Sequence, residues 1–225
     1  MEWSLLAGVP PDDRDRFLGI ARSRRYDRGD VVFVAGVPGD SLHLIASGKF
    51  AVRANTEVGD MALLNLLSEG DCFGELALIG PDTTRTAMVT ALEPGETLLV
   101  HRSEFERLRD EHPSVDRVLV SILSMQVRRL SERLVETMYL PVDARIYRRV
   151  LTAAGMWGGA GPGAVIPLTQ EDVAGLAGTT RPTANRVLRQ AEASGLLALR
   201  RGRIQLLDPV AMAAEAGGGP PGLSS

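Results

Sequence analysis

The sequence predicts an α+β chain in which an N-terminal antiparallel β-roll, one long helix and a C-terminal winged helix-turn-helix follow one another. Three observations carry this. Short β-prone runs broken by Gly-Asp turns fill residues 27–100, and an apolar repeat at helical spacing runs from Ser114 to Met138. The stretch "TQEDVAGLAGTTRPTANRVLRQ" (169–190) reads as two short helices about a tight turn. The expected divisions are 1–112 for the β-roll, 113–140 for the long helix, 141–210 for the winged helix-turn-helix and 211–225 for a disordered tail.

Composition narrows the function classes. At 225 residues, 44% apolar and 24% charged, the chain can bury one large core or two small ones. No apolar run reaches the ~18–20 residues of a membrane helix, and Met1–Pro10 lacks a basic start and an apolar core. No membrane association is expected, and the cytoplasm is the expected compartment. Cys72 is the single cysteine, which excludes an internal disulfide and a Cys-ligated cluster. His43, His101 and His112 are scattered, so neither a metal site nor a prosthetic group is expected. A cupin-type enzyme fused to an interaction module needs clustered His and Glu ligands on neighbouring strands; no His-x-His pair exists. The net charge of −3 is divided unevenly: residues 1–140 hold 22 acids and 16 bases, residues 141–225 hold 6 and 9. A basic C-terminal part suits a polyanionic partner.

Along the chain, "PPDDRDRFLGIA" and the rest of residues 1–25 read as short helices. Strands are expected at Val31–Val34, Leu42–Ile45, Phe50–Val52, Ala62–Leu67, Ala87–Thr90 and Thr97–Val100. Ser103 followed by Glu106 is a capping-box signature for the next helix. In the long helix Val120, Leu123, Val127, Leu130 and Leu134 recur at 3-4-3-4 spacing, a coiled-coil seam. Val115, Val118, Leu119, Ile122 and Met125 form a second stripe. A helix apolar on two faces packs one on its own domain and offers the other to a partner, or is buried entirely within one monomer. The β-rich region before it and the helix pair after it favour a dimerisation helix. Pro141 breaks the pattern, and Val142–Ala154 is another helix.

Residues 169–190 have the mechanics of a nucleic-acid-reading helix pair. Thr169 can cap the first helix with Asp172 reaching back, and Gly178 tolerates the positive φ of the turn. Thr180 caps the second helix, with Pro182 in its first turn. Ala184, Val187 and Leu188 point inward, leaving Arg181, Thr183, Asn185, Arg186 and Arg189 outward for a major groove and its phosphates. A hairpin of Leu196–Leu199 and Arg203–Leu207 around Arg200 and Arg201 supplies the wing. An ordinary helix pair with a solvated basic face is the alternative.

The most specific string is "GDCFGELALIGPDTTRTA" (70–87). Gly74-Glu75-Leu76-Ala77 can open a helical turn whose N–H groups receive an anion. Arg85 can pair with a phosphate through two parallel bonds, Thr86 adds a hydroxyl, and Glu75 can accept from a sugar hydroxyl. From spacing alone, Glu75 and Arg85 could equally form a structural ion pair.

The string resembles the phosphate-binding cassette of the cyclic nucleotide-binding fold, F-G-E-L-A-L followed by R-[ST]-A. With the long helix and the helix-turn-helix, essentially the whole chain resembles the cyclic-AMP receptor (Crp/Fnr) family of bacterial transcription regulators. The resemblance implies that Glu75 binds a ribose hydroxyl, that Arg85 and Thr86 bind a cyclic phosphate, and that Gly74 and Leu76 give backbone contacts. It implies cyclic AMP as allosteric ligand, a homodimer, a pseudo-palindromic DNA site and RNA polymerase as partners. The departures from the family matter. The threonine-serine pair that contacts adenine is Leu130-Ser131 here, leaving Ser131 as the polar member, and Arg85-Thr86-Ala87 also occurs in cyclic-GMP-binding relatives. A family member without a ligand is the remaining alternative. Arg181 and Arg186 match family arginines that read guanine, whereas Pro182 replaces the family glutamate that accepts from cytosine. The DNA contacts expected are Thr169, Thr180, Arg181, Thr183, Asn185, Arg186, Arg189 and Arg201, with a half-site like the family's TGTGA altered at its last-read positions.

Overall fold

The Gly-punctuated runs of the N-terminal part form two packed four-stranded sheets in the computed structural model, which describes residues 3–55, 61–80 and 83–217. The strands are β1 (Arg22–Tyr26), β2 (Val31–Phe33), β3 (Ser41–Ser47), β4 (Phe50–Asn55), β5 (Met61–Leu67), β6 (Cys72–Phe73), β7 (Met88–Ala91) and β8 (Gly95–His101). One sheet has the order β1-β8-β3-β6, the other β2-β7-β4-β5, with antiparallel neighbours where the register is defined. Helix α1 (Pro11–Gly19) precedes them; α2 (Arg102–Glu111) and α3 (Asp116–Tyr139) follow. Tertiary contacts divide the chain into two compact units, Met1–Ala54 with Asn65–Ser131, and Asn55–Leu64 with Glu132–Ser225.

In the first unit β3 is buried along most of its length, and its side chains alternate between two cores. Leu42 and Leu44 join Phe17, Val100, Phe105, Val118 and Ile122 beneath the helices. Ile45 joins Tyr26, Phe50, Phe73 and Val89 in the other cluster. Phe17 and Phe105 meet edge-to-face at 6.0 Å, tying α1 to α2. Along α3 and the 3-10 turn Pro113–Val115 before it, the two stripes part as expected: Val115, Val118 and Ile122 are buried, and Leu119 and Met125 pack against them. Val120, Val127, Leu130 and Leu134 are each 60–64% exposed. Leu123, expected in the same seam, is half-buried.

The second unit holds α4 (Val142–Met156), α5 (Gln170–Ala177), α6 (Arg181–Ala193) and α7 (Pro209–Glu215), with a three-stranded wing. Its strands β9 (Val165–Ile166), β10 (Leu197–Arg200) and β11 (Arg203–Leu206) have the order β10-β11-β9. Ile146, Val150, Val173, Val187, Leu188 and Ile204 are fully buried here.

Three expectations need correction. Arg22–Tyr26 is an edge strand, not helix; its first four side chains are all exposed, so no apolar period betrays it. Helix α2 begins at Arg102 behind His101 with no side-chain cap, so Ser103 and Glu106 form no capping box. The tail does not begin at 211: α7 is capped by Asp208 and buries Met212 completely. The remainder of that expected disorder, 218–225, lies outside the described residues.

Candidate functional site

After β6 the backbone turns at Gly74 with φ +80° into the 3-10 turn Glu75–Leu78. A Cβ at Gly74 would stand 2.4 Å from Arg85 Nη1 and 2.8 Å from the Ser41 carbonyl oxygen. Glycine is required there twice, by its dihedral and by the Ser41 backbone carbonyl that a Cβ would meet. The turn walls a cavity of about 180 Å³ whose lining includes Gly74, Glu75, Leu76, Arg85, Thr86 and, from α3, Gln126. Five of the six residues expected at the ligand are thus brought together. Ser131 is not in the lining; it stands on an exposed part of α3. Gln126 takes that helix's place in the wall. It follows buried Ile122 by four residues, so a polar residue continuing the buried stripe was the available signal.

Arg85 is 7% exposed. Its Nη1 donates to the Ser41 carbonyl at 2.8 Å and the Gly74 carbonyl at 3.4 Å, and Nη2 donates to Ser41 Oγ at 3.0 Å. The guanidinium carbon lies 4.1 Å from the Phe33 ring centre. Among the described residues its carboxylate within 4 Å is Asp40, at 3.6 Å, and not Glu75. Burial draws the Arg85 pKa below its ordinary value, and the Asp40 and Glu75 carboxylates oppose that. A buried cation whose hydrogen bonds among the described residues all go to neutral acceptors, with Asp40 only at ion-pair distance, suits a small anion, because phosphate oxygens make stronger, charge-assisted bonds in their place.

His43 stacks on Phe73 at 4.8 Å and shares a 3.1 Å hydrogen bond with Thr97 Oγ1. Burial first, then the charge of Arg85, pushes its pKa down to about 3, so it is a neutral core ring. Burial likewise raises the Cys72 thiol, which leaves it unreactive. Among the described residues no group of three His, Cys, Asp or Glu could hold a metal ion.

In the second unit the expected caps form. Thr169 Oγ1 accepts from the Asp172 N–H at 3.1 Å while the Asp172 carboxylate accepts from the Thr169 N–H at 2.9 Å. Gly178 closes the turn at φ +61°, and Thr180 Oγ1 accepts from the Thr183 N–H at 3.4 Å. Ala184, Val187 and Leu188 are buried, so helical spacing turns Arg181, Asn185, Arg186 and Arg189 outward, all exposed. Arg186 lies 3.6 Å from Asp143 and Arg189 2.8 Å from Glu192. A groove of about 330 Å³ brings Thr169 and Arg181 together with Arg200, Arg201 and Arg203 of the wing, beside Glu171. No described helix is long and apolar enough to cross a membrane.

Comparison with known proteins matches both units. A model described as the cyclic nucleotide-binding domain matches residues 23–112, and one described as the Crp-like helix-turn-helix domain matches residues 129–215. The cyclic AMP receptor protein of Thermus thermophilus is 30% identical over 202 residues, 90% of this chain and 91% of that protein. The CRP-like cAMP-activated global transcriptional regulator of Mycobacterium tuberculosis is 28% identical over 194 residues, 85% of this chain and 86% of that one. The structure of the c-di-GMP responsive global regulator CLP of Xanthomonas campestris has the same fold, with a TM-score of 0.72 at 24% identity over 88% of this chain and 99% of that chain.

Proposed function

Because the chain belongs to the Crp/Fnr family of transcription regulators, we propose that it is a cytoplasmic, cyclic-AMP-responsive homodimer that reads a pseudo-palindromic DNA site and acts with RNA polymerase. Its relatives are regulators, not enzymes, and it carries that family's cyclic nucleotide-binding and DNA-binding domains. One observation carries the ligand reading: Arg85, nearly inaccessible to solvent, lines the same small cavity as Glu75 and Thr86. One cation for a phosphate and one carboxylate for a sugar hydroxyl is the minimum set for a ribose phosphate. Gln126, an amide with both donor and acceptor that lines the cavity, would read the base edge, and a partner chain would have to bring Ser131 to the ligand. Cyclic GMP is the second reading, because the Arg85-Thr86-Ala87 string also resembles that of cyclic-GMP-binding relatives.

The dimer reading rests on α3. Its outer stripe of Val120, Val127, Leu130 and Leu134 leaves large apolar side chains mostly in water, which a second copy of the same helix would cover. Twofold symmetry then presents α6 twice, about one helical turn of DNA (~34 Å) apart. Arg181 and Arg186 take guanine contacts, and Pro182 relaxes discrimination at the base pair its family counterpart reads. Calorimetric titration of the purified protein with cyclic AMP and cyclic GMP tests the ligand. Saturable binding with a preference for cyclic AMP supports the reading, and heat-silent titrations with both reject it.

A further inference from the structure

Arg102 opens α2 at the point where β8 ends, and its backbone N–H donates to the Asp40 carbonyl at 2.7 Å. Among the described residues its side chain reaches three other segments. Nε donates to the Ala77 carbonyl at 2.5 Å, and Nη2 donates to the Gly39 carbonyl and to Thr83 Oγ1, the latter at 3.1 Å. Ala77 belongs to the 3-10 turn, Gly39 to the loop before β3, and Thr83 to the approach to Arg85. All three line the cavity, and Arg102 does not. The guanidinium therefore lies behind the wall.

The three segments also meet one another. The Gly39 N–H donates to the Thr83 carbonyl at 2.8 Å. A Cβ placed on Gly39 would stand 3.4 Å from Ala77 Cβ and 3.5 Å from Arg85 Cδ, so spacing at this junction sets where Arg85 can lie. Thr83 Oγ1 accepts from Arg102 and donates to the Gly80 carbonyl at 3.2 Å, carrying the connection into the far end of the turn. A planar guanidinium with donors in a fixed fork can hold several acceptors at set angles, whereas an ammonium on a flexible stem cannot.

We propose that Arg102 is a positioning residue for the anion site: from behind the cavity wall it holds the cassette turn, the Gly39 loop and the Thr83–Arg85 segment at the spacing a ribose phosphate needs. This rests on the cyclic-nucleotide reading of the cavity. Ordering these segments in advance removes a cost that binding would otherwise meet.

The test uses the full-length chain with Arg102→Met, which removes the donors, and Arg102→Lys, which keeps charge and stem without the fork. Cyclic AMP and cyclic GMP are titrated calorimetrically, the unfolding midpoint is measured, and amide hydrogen exchange is followed without ligand. Losing bonds from a charged donor should weaken nucleotide binding about tenfold or more in both variants, with lysine giving no full rescue. Exchange should quicken at residues 38–40, 74–79 and 83–86 while β3 and β8 stay protected. Wild-type affinity in either variant overturns the proposal, as does an exchange increase spread evenly through the domain. If Arg102→Met does not fold, the milder Arg102→Lys decides on the same two readouts. If the wild type binds neither nucleotide, the reading of the cavity has failed, and the exchange pattern alone still confirms or overturns the clamp.

Discussion

Arg85 in the first unit is 7% exposed and holds the Ser41 and Gly74 carbonyls, whereas the Arg186 side chain on α6 stands 59% exposed, 3.6 Å from one carboxylate. The two arginines belong to the two candidate sites, and their surroundings suit different kinds of recognition. A buried guanidinium keeps its charge only with acceptors around it, so an entering ligand must offer an anion that betters them. An exposed arginine is already solvated. It adds affinity for any phosphate and yields specificity only where its fork meets a base edge.

The comparison breaks first at Arg85. Arg85→Leu should weaken cyclic nucleotide binding by a hundredfold or more, since hydrogen bonds to a charged group contribute about 1.5–3 kcal/mol each. It should also lower stability by about 1–3 kcal/mol, because the Ser41 carbonyl and hydroxyl lose their donor. Titration and denaturant unfolding check the two effects. A folded variant with unchanged affinity would remove Arg85 from the ligand.

Apolar side chains give a parallel contrast on α3, where Ile122 is buried in its own unit and Val127 and Leu134 are exposed. Val127→Glu or Leu134→Glu should leave the single chain folded and convert dimers to monomers, because a seam would have to desolvate the new charge. Sedimentation decides it, and a wild type that is monomeric at micromolar concentration contradicts the seam.

Smaller effects should separate the exposed arginines from one another. Arg186→Ala should cost ~1–3 kcal/mol on the preferred DNA site and relax one base position, as selection from a random pool would reveal. Arg201→Ala should instead weaken all sequences alike and make the salt dependence shallower by about one unit. Equal behaviour of the two would erase the distinction drawn for them.

How much of this was legible in the sequence follows from how far apart the cooperating residues lie. The cassette and the helix pair are continuous strings whose caps and turn glycines act on near neighbours, so Gly74, Thr169 and Gly178 could be read directly. Of Arg85's partners, Gly74 lies in the cassette, but Ser41 and Asp40 lie 44 and 45 residues earlier in the chain, and no local pattern joins them to it. Arg102 is equally silent, because its acceptors among the described residues, Gly39, Ala77 and Thr83, come from segments far apart in the sequence. The strand Arg22–Tyr26 escaped because an edge strand with four exposed side chains lacks the alternation that marks a half-buried one. Ser131 was expected at the ligand through the family's adenine contacts, but its helix face is exposed in the single chain.

The mildest prediction concerns the neutral ring of the aromatic core. His43 has a folded pKa of about 3, below the ordinary ~6.5, so the unfolded chain binds the extra proton first as pH falls. Stability is therefore full above pH ~6.5 and is lost as pH falls toward 3, with about 1 kcal/mol gone by pH ~5.5. Chemical denaturation across that range should show the slope, and His43→Phe should flatten it. A slope unchanged in the variant would place the proton elsewhere.

The central claim is that occupying the buried site strengthens DNA binding at the exposed one, and fluorescence anisotropy on a labelled duplex tests it most directly. With a pseudo-palindrome selected by the protein itself, saturating cyclic AMP should tighten the wild type about tenfold or more, a coupling of roughly 1.4 kcal/mol or more, and leave Arg85→Leu unmoved. Equal DNA affinity with and without a nucleotide that calorimetry shows to be bound would contradict the account.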